Sequence, residues 1–392
     1  MIKAASASTF EVDDISLACA EIKAQIDEQL SLMRFSAGIV LCDPEFIEAG
    51  IMPSLYQALN IPLAGGTTVS SATNREVGLT MLSVLVLTSD DVWFAVSSTS
   101  GLEGGSVEAI RSSLRDALAS ELEPPRLFIA FPPIIDAVAG DDYIGAIESV
   151  CGAIPVFGAL PLDDTLTDFS RSASIHNGLA LKNEMSYIIL FGNAHPRFYR
   201  ATVPGDANLT KARAVATRAE GNILYEINGV PAVKYLESVG LAANGDLKAG
   251  AMWVPLLLTL PGAADDVPFV RALIRIDRDG SAVFRGRIYE GAEFSFGSNL
   301  GADVLDSTRD TVGQLLNENG VQAAILFSCM IRQLVIGSDP LQELRQLKDD
   351  ISSNFPFIAS YAGGEIAPTS VNHQTNQAQN RFHNYSFIAC LL

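Results

Sequence analysis

At 392 residues, with 48% apolar and 18% charged side chains, the chain has length for two or three domains with sizeable cores and is too hydrophobic to be disordered. Lys and Arg number 26 against 45 Asp and Glu, a formal charge of −19, and no basic run offsets it. That balance speaks against a nucleic-acid partner and against an anionic membrane surface. The five cysteines, Cys19, Cys42, Cys151, Cys329 and Cys390, are scattered and form no C-x-x-C pair. They read as buried thiols in a reducing compartment, with no zinc site indicated.

The stretch from Met1 to Asp14 carries one Lys and no apolar core, so it does not read as a signal peptide. Asp13-Asp14 caps a predicted helix running to about Arg34, with Ile15, Leu17, Ala18, Ile22, Ile26 and Leu30 on one face. Ala37–Cys42 reads as a strand, and Asp43-Pro44 starts a helix to about Leu59. Next come Pro62–Gly66, a Ser/Thr-rich loop, and strands at Gly78–Leu87 and Val92–Ser98 joined at Ser89–Asp91. A glycine-rich turn, 101–105, leads into a helix from about Val107 to Leu122. Leu127–Phe131 is a strand, Asp141-Asp142 opens a helix to about Val150, and Ile154–Gly158 repeats the Pro-apolar-Gly pattern. Strands follow near Gly178–Leu181 and Tyr187–Phe191.

Residues 192–210 suggest a linker or edge strand. Residues 211–218 alternate as a strand does, and Asn222–Ile227 is a strand before the turn Asn228-Gly229 and a helix from Pro231 to about Val239. Met252–Leu260 reads as a buried strand, too short to span a bilayer. Phe269–Ile276 and Ala282–Ile288 flank Asp279-Gly280, a hairpin signal. Leu300–Asn319 is an amphipathic helix closed by Gly320. Ala324–Phe327 is a strand, a helical stretch follows, and Asp339-Pro340 caps a helix to about Ser352. Phe355–Ala359, the turn Ala362–Ile366, a polar loop between Pro368 and Phe382, and the strand Tyr385–Leu392 complete the chain.

A strand, a helix, an apolar-Pro-apolar segment, a loop and a strand thus recur three times, at irregular spacing. The expected fold is α/β (α+β): two modules of mixed sheets flanked by helices, with an internally repeated strand-helix-strand unit. The expected limits are an N-terminal helix at 1–35 and modules at 36–221 and 222–392.

Four stretches carry a family resemblance. They are Asn222–Gly229 with Pro231-Ala232, Phe327-Ser328-Cys329 with Arg332 and Gly337, Gly364-Glu365-Ile366 with Pro368, and Phe382-His383-Asn384. In order and spacing they resemble the FIST family, bacterial sensory proteins of two adjoining modules. They span about the C-terminal half; Pro62–Gly66 and Pro155–Gly158 support the N-terminal module loosely. Two stretches depart from the family pattern. Ala359–Gly363 stands where Gly-aromatic-aromatic is usual, and the segment between Pro368 and Phe382 is rich in Asn and Gln. The resemblance implies a cytoplasmic small-ligand sensor without catalytic output, with an amino acid or organic acid as ligand. It also implies an alternative: a haem-binding nitric-oxide sensor that reports to a separate histidine kinase or cyclic-dinucleotide enzyme. Oligomeric state is left open.

The residues themselves place a ligand site at Cys329, Arg332, Glu365, His383 and Asn384, polar groups at the ends of apolar segments. Arg332 suits a ligand carboxylate, or equally a structural pair with a carboxylate such as Glu365. Glu365, after two glycines, suits a ligand ammonium or the capping of backbone amides. His383 and His195 are candidate haem ligands, although a structural or surface role suits each of them better. Cys329 with His383 makes a Cys-dependent enzyme conceivable, against the blander reading of a buried thiol. A scaffold without a ligand is a further alternative. Residues 101–105 fit no phosphate-loop pattern, and the pairs Asp13-Asp14, Asp141-Asp142, Asp163-Asp164 and Asp265-Asp266 read as helix caps or solvated loops.

Overall fold

The computed structural model describes residues 1–102, 106–119, 121–135, 138–165, 169–205, 214–260 and 268–392. Three stretches of chain follow one order of elements. The first runs β1 (Lys3–Thr9), α1 (Ile15–Gln29), β2 (Phe35–Cys42), α2 (Pro44–Glu48), α3 (Met52–Leu59), β3 (Leu63–Thr67), the short pair β4 (Ser71–Thr73) and β5 (Val77–Gly78), then β6 (Leu82–Ser89). The second runs β7 (Phe94–Ser98), α4 (Glu108–Leu118), β8 (Leu127–Phe131), α5 (Gly140–Cys151), β9 (Val156–Ala159), the pair β10 (Ser174–His176) and β11 (Leu179–Leu181), then β12 (Ser186–Leu190).

The third opens with β13 (Arg197–Ala201), which an inserted lobe separates from the rest. The lobe holds β14 (Ala214–Glu220), β15 (Ile223–Ile227), β16 (Val230–Pro231), α6 (Ala232–Ser238), β17 (Ala242–Ala243), β18 (Asp246–Leu247), β19 (Leu256–Thr259), β20 (Phe269–Arg271), β21 (Leu273–Ile276), β22 (Ala282–Phe284) and β23 (Glu293–Phe296). The third stretch then resumes with α7 (Gly301–Leu316), β24 (Ala324–Cys329), α8 (Met330–Ile336), α9 (Gln342–Ile351), β25 (Phe357–Ala362), the hairpin β26 (Glu365–Asn372) and β27 (Gln377–His383), and β28 (Phe387–Leu391).

Three six-stranded sheets result, ordered β1-β6-β2-β3-β10-β11, β7-β12-β8-β9-β26-β27 and β13-β28-β24-β25-β4-β5. Each centres on a parallel pair, β2/β3, β8/β9 or β24/β25. Each is completed by a hairpin from another stretch, so the N-terminal and C-terminal parts of the chain share two of the three sheets. The lobe's eight-stranded sheet is antiparallel throughout.

One face of each six-stranded sheet meets the others in a common core that includes Ile39, Leu85, Ile129, Phe157, Ile325, Phe327 and Ile388. Phe327 stacks on Phe157 at 5.6 Å between centroids and meets Phe131 edge-on at 6.2 Å, geometries that aromatic quadrupoles favour. The outer faces pack on helices: α1 and α3 on the first sheet, α4 and α5 on the second, α9 on the third. Strands buried on both faces explain the runs of unbroken apolar residues at 127–131 and 324–327.

Local chemistry fixes many boundaries. Asp14 caps α1 by accepting from the Leu17 amide at 2.9 Å, and Asp43 caps α2, with Pro44 at the first helical position. The helix expected over 43–59 is two helices, because Gly50 takes a positive φ between them. Residues 82–89 and 94–98 are not a hairpin; β6 and β7 belong to different sheets. The buried strand expected at 252–260 is shortened to 256–259 by a turn of 3₁₀ helix. The polar loop expected after Pro368 is instead the hairpin β26/β27. Residues 103–105, 206–213 and 265–266, which carry parts of the expected glycine turn, linker, alternating strand and acidic pair, lie outside the described residues. Asp163 is buried, not solvated, and accepts from the Thr165 and Arg171 amides.

Candidate functional site

The C-terminal end of β24 sets the site. Alternation along the strand turns Ser328 toward the helices, where its hydroxyl donates to Glu343 at 2.7 Å. Cys329 follows at the N-cap of α8, and Arg332 lies in the first turn of that helix. Arg332 is completely buried and pairs with Glu343 of α9, also completely buried, at 2.8 Å. Its guanidinium donates further to the Val304 carbonyl (2.9 Å) and the Thr308 hydroxyl (2.5 Å), and Thr308 in turn donates to Glu343. Burial of two charges is tolerable here because each is paired and hydrogen-bonded. The structural partner of Arg332 is therefore Glu343, not Glu365: α9 brings Glu343 onto the guanidinium. One nitrogen, Nη1, remains without a partner in the protein.

Glu365 opens β26 and is completely buried. Before it, Gly364 adopts a φ of 151°, and a Cβ there would stand 2.4 Å from the Phe382 ring, so only glycine permits this approach. Neither carboxyl oxygen of Glu365 has a close hydrogen-bond partner among the described residues. The Cys329 thiol and the Ser386 amide act on the carboxyl as loose donors that favour its charged form. Burial holds the Glu365 carboxyl well above the usual carboxylate range; the Cys329 thiol, the Ser386 amide and the charge of Arg332 pull it down, and Glu343 adds to the rise. Burial, reinforced by Glu365, likewise holds the Cys329 thiol well above its ordinary value. A nucleophilic cysteine needs the opposite shift. The hydroxyls of Tyr361 on β25 and of Tyr385 before β28 are also buried without partners; Tyr361 faces Glu343 and Arg332, and Tyr385 faces Arg332 and Cys329.

The structure thus brings Cys329, Arg332 and Glu365 together and directs His383 and Asn384 elsewhere. His383, opposite Glu365 in the strand register, donates through Nε2 to the Ala367 carbonyl at 3.1 Å. Burial, with the positive charges of Arg200, Arg271 and Arg381, keeps its imidazole neutral, and Nδ1 has no partner. Asn384 accepts from the Ala272 amide at 3.1 Å and bridges Val270, which ties β27 to the lobe. Arg271 strengthens that tie. Completely buried, it donates to the Phe382 carbonyl (2.7 Å) and to both oxygens of Asp141 (3.1 and 3.2 Å); Asp141 is therefore an ion-pair partner as well as a helix-start residue. His195 is exposed, bonds Asn193 at 2.9 Å, and lines a surface cleft of about 690 Å³ with His373, Arg197 and Asn319.

Sequence reading missed Glu343, Tyr361 and Tyr385. Glu343 stands four residues before Leu347 and eight before Ile351 on the buried face of α9, so the helical period itself marked it as an inward carboxylate. Tyr361 breaks an apolar strand, and Tyr385 is a non-glycine residue at φ 59°, which no local pattern announced.

Residues 4–230 match the FIST N domain, and residues 232–368 match the FIST C domain. No curated protein matches the chain. Among solved structures, a cyanuric acid hydrolase from A. caulinodans is similar over 100% of this chain and 99% of that one, at 11% identity and a TM-score of 0.37. At that distance the likeness carries no argument about function.

Proposed function

This chain belongs to the FIST family, whose domains are sensory modules of signal transduction, and on that premise we propose that it senses a small polar ligand and passes the signal to a separate partner. The observation that carries this reading is the cluster at the end of β24. Four side chains, Arg332, Tyr361, Glu365 and Tyr385, hold buried polar atoms that no group among the described residues satisfies with good hydrogen-bond geometry. Each orphaned group of this kind costs about 1–3 kcal/mol, and several in one place call for a polar guest. The raised Cys329 thiol supports binding over covalent catalysis. Five free cysteines support a reducing, cytoplasmic setting, and no helix among the described residues is long and apolar enough to cross a membrane.

The test is a thermal-unfolding screen of amino acids, organic acids, amines and haem against the wild type and Tyr385→Phe, a change that removes one orphaned hydroxyl and little volume. The reading expects at least one compound to raise the wild-type melting temperature, with a smaller rise in the variant. If every compound leaves the wild type unmoved, or acts equally on the variant, the site is misplaced.

A further inference from the structure

The three sheets offer an internal control for Glu365. In each parallel pair a proline carbonyl at the head of the second strand accepts from the first: Pro62 from Gly38, Pro155 from Phe128, Pro356 from Ala324. These bonds fix a common register. The fourth residue after each proline, Gly66, Ala159 or Ser360, pairs with the first residue of an incoming hairpin, which is Ser174, Glu365 or Ser71 respectively. All three incoming residues are completely buried. Ser71 is satisfied by the Ser83 hydroxyl at 2.8 Å and Ser174 by the Phe131 carbonyl at 2.7 Å. Glu365 alone is unsatisfied. A serine suffices to close this position in the first and third sheets, so the carboxyl in the second sheet is not required by the fold.

Charge decides what the carboxyl takes. Arg332 is the cation whose charge acts on Glu365, and that charge is already matched by Glu343 at 2.8 Å. A ligand carboxylate would therefore meet a guanidinium that is spoken for and would add a second negative group beside Glu365. A ligand cation meets the opposite situation: a buried carboxyl whose two oxygens have no close hydrogen-bond partner among the described residues. Resting on the reading of this cluster as a ligand site, we propose that its ligand is a small organic cation, an alkylammonium or similar group, for which Glu365 is the counter-ion, with the Cys329 thiol beside it and the Tyr385 hydroxyl next to Cys329. The balanced step is the neutral carboxyl plus the ammonium ion going to the carboxylate–ammonium pair plus one proton released to solvent. Of the groups around the cluster, Arg332 and Glu343 remain paired, and Cys329, Tyr361 and Tyr385 remain protonated, because their shifts are all upward.

The test titrates the full chain with methylammonium and ethylammonium, with acetate and propionate, and with glycine, reading heat in buffers of different ionisation enthalpy. The inference expects the alkylammonium ions to bind, one proton to leave per ion bound, affinity to rise about tenfold per pH unit while the carboxyl is still protonated, and Glu365→Gln to lose at least tenfold in affinity. Should Glu365→Gln fail to fold, Glu365→Asp and the proton count on the wild type carry the test. Binding of acetate, propionate or glycine alone, weakened by Tyr385→Phe, overturns the cation and leaves the site standing. Alkylammonium binding with no proton release, or unchanged in Glu365→Gln, also overturns the inference. If none of these probes nor any compound of the wider screen binds, the site falls with it.

Discussion

Two buried carboxylates lie on either side of Arg332, and they are held in opposite ways. Glu343 accepts from Ser328, Thr308 and the Arg332 guanidinium; Glu365, equally buried, has no close hydrogen-bond partner among the described residues. The same contrast separates the second sheet, which holds Glu365, from the first and third, where Ser174 and Ser71 occupy its position and are satisfied. The difference teaches which polar residues are structural. A buried charge with a complete set of partners holds elements together, here α7, α8 and α9 around β24. A buried carboxyl without partners lowers stability, and the protein retains it where a cheaper residue fits.

The contrast can be broken from the Glu343 side first. Arg332→Ala leaves Glu343 buried and uncompensated and is expected to cost about 3–5 kcal/mol in chemical denaturation. Replacing the pair together, Arg332→Met with Glu343→Leu, is expected to cost much less, since no charge is stranded. A loss as large in the double variant as in the single one would mean that the ion pair is not what Arg332 supplies.

Glu365→Gln is expected to act in the opposite direction and to stabilise at neutral pH. The sign follows from linkage. The folded carboxyl titrates above its unfolded value, so above about pH 4.3 the unfolded chain holds fewer protons and stability falls as pH rises. The decline is at most about 1.4 kcal/mol per pH unit and ends at the folded pKa. Glu365→Gln should remove this slope and match the wild type near pH 4; an unchanged slope would put the titrating group elsewhere.

His383 gives a smaller effect over a narrower range. Its folded pKa is depressed by burial and by Arg200, so its contribution is present above the unfolded value near 6.5 and is lost as pH falls below it. His383→Gln should flatten the acid limb of the stability curve between about pH 6.5 and 5. The smallest effect is a null one: Cys329, with its thiol pushed up by burial and Glu365, should resist alkylation at neutral pH in the native protein and react on unfolding. Rapid native labelling at Cys329 would restore the nucleophile reading.

Much of the fold was legible where local chemistry decides it. Asp14, Asp43-Pro44 and Asp141-Asp142 mark helix starts, and unbroken apolar runs mark the central strands. β1 was not legible, because Lys-Ala-Ala-Ser-Ala-Ser-Thr has neither alternation nor bulk. The hairpin β26/β27 was hidden by its Asn and Gln residues, which suit a partly exposed edge. Of the site, Cys329, Arg332 and Glu365 announced themselves as polar groups ending apolar strands. Who partners whom did not. The choice of Glu343 over Glu365 depends on how α9 packs on α8, and the roles of His383 and Asn384 depend on an inserted lobe whose docking no local pattern encodes.

The central claim is that Glu365 is a neutral, unpartnered carboxyl in the ligand-free protein. The infrared difference spectrum between the wild type and Glu365→Gln at neutral pH tests it directly. The expected result is a protonated carboxylic C=O band that is present in the wild type, absent in the variant, and replaced by carboxylate bands when an ammonium probe binds. Carboxylate bands assigned to Glu365 in the ligand-free protein would contradict the account.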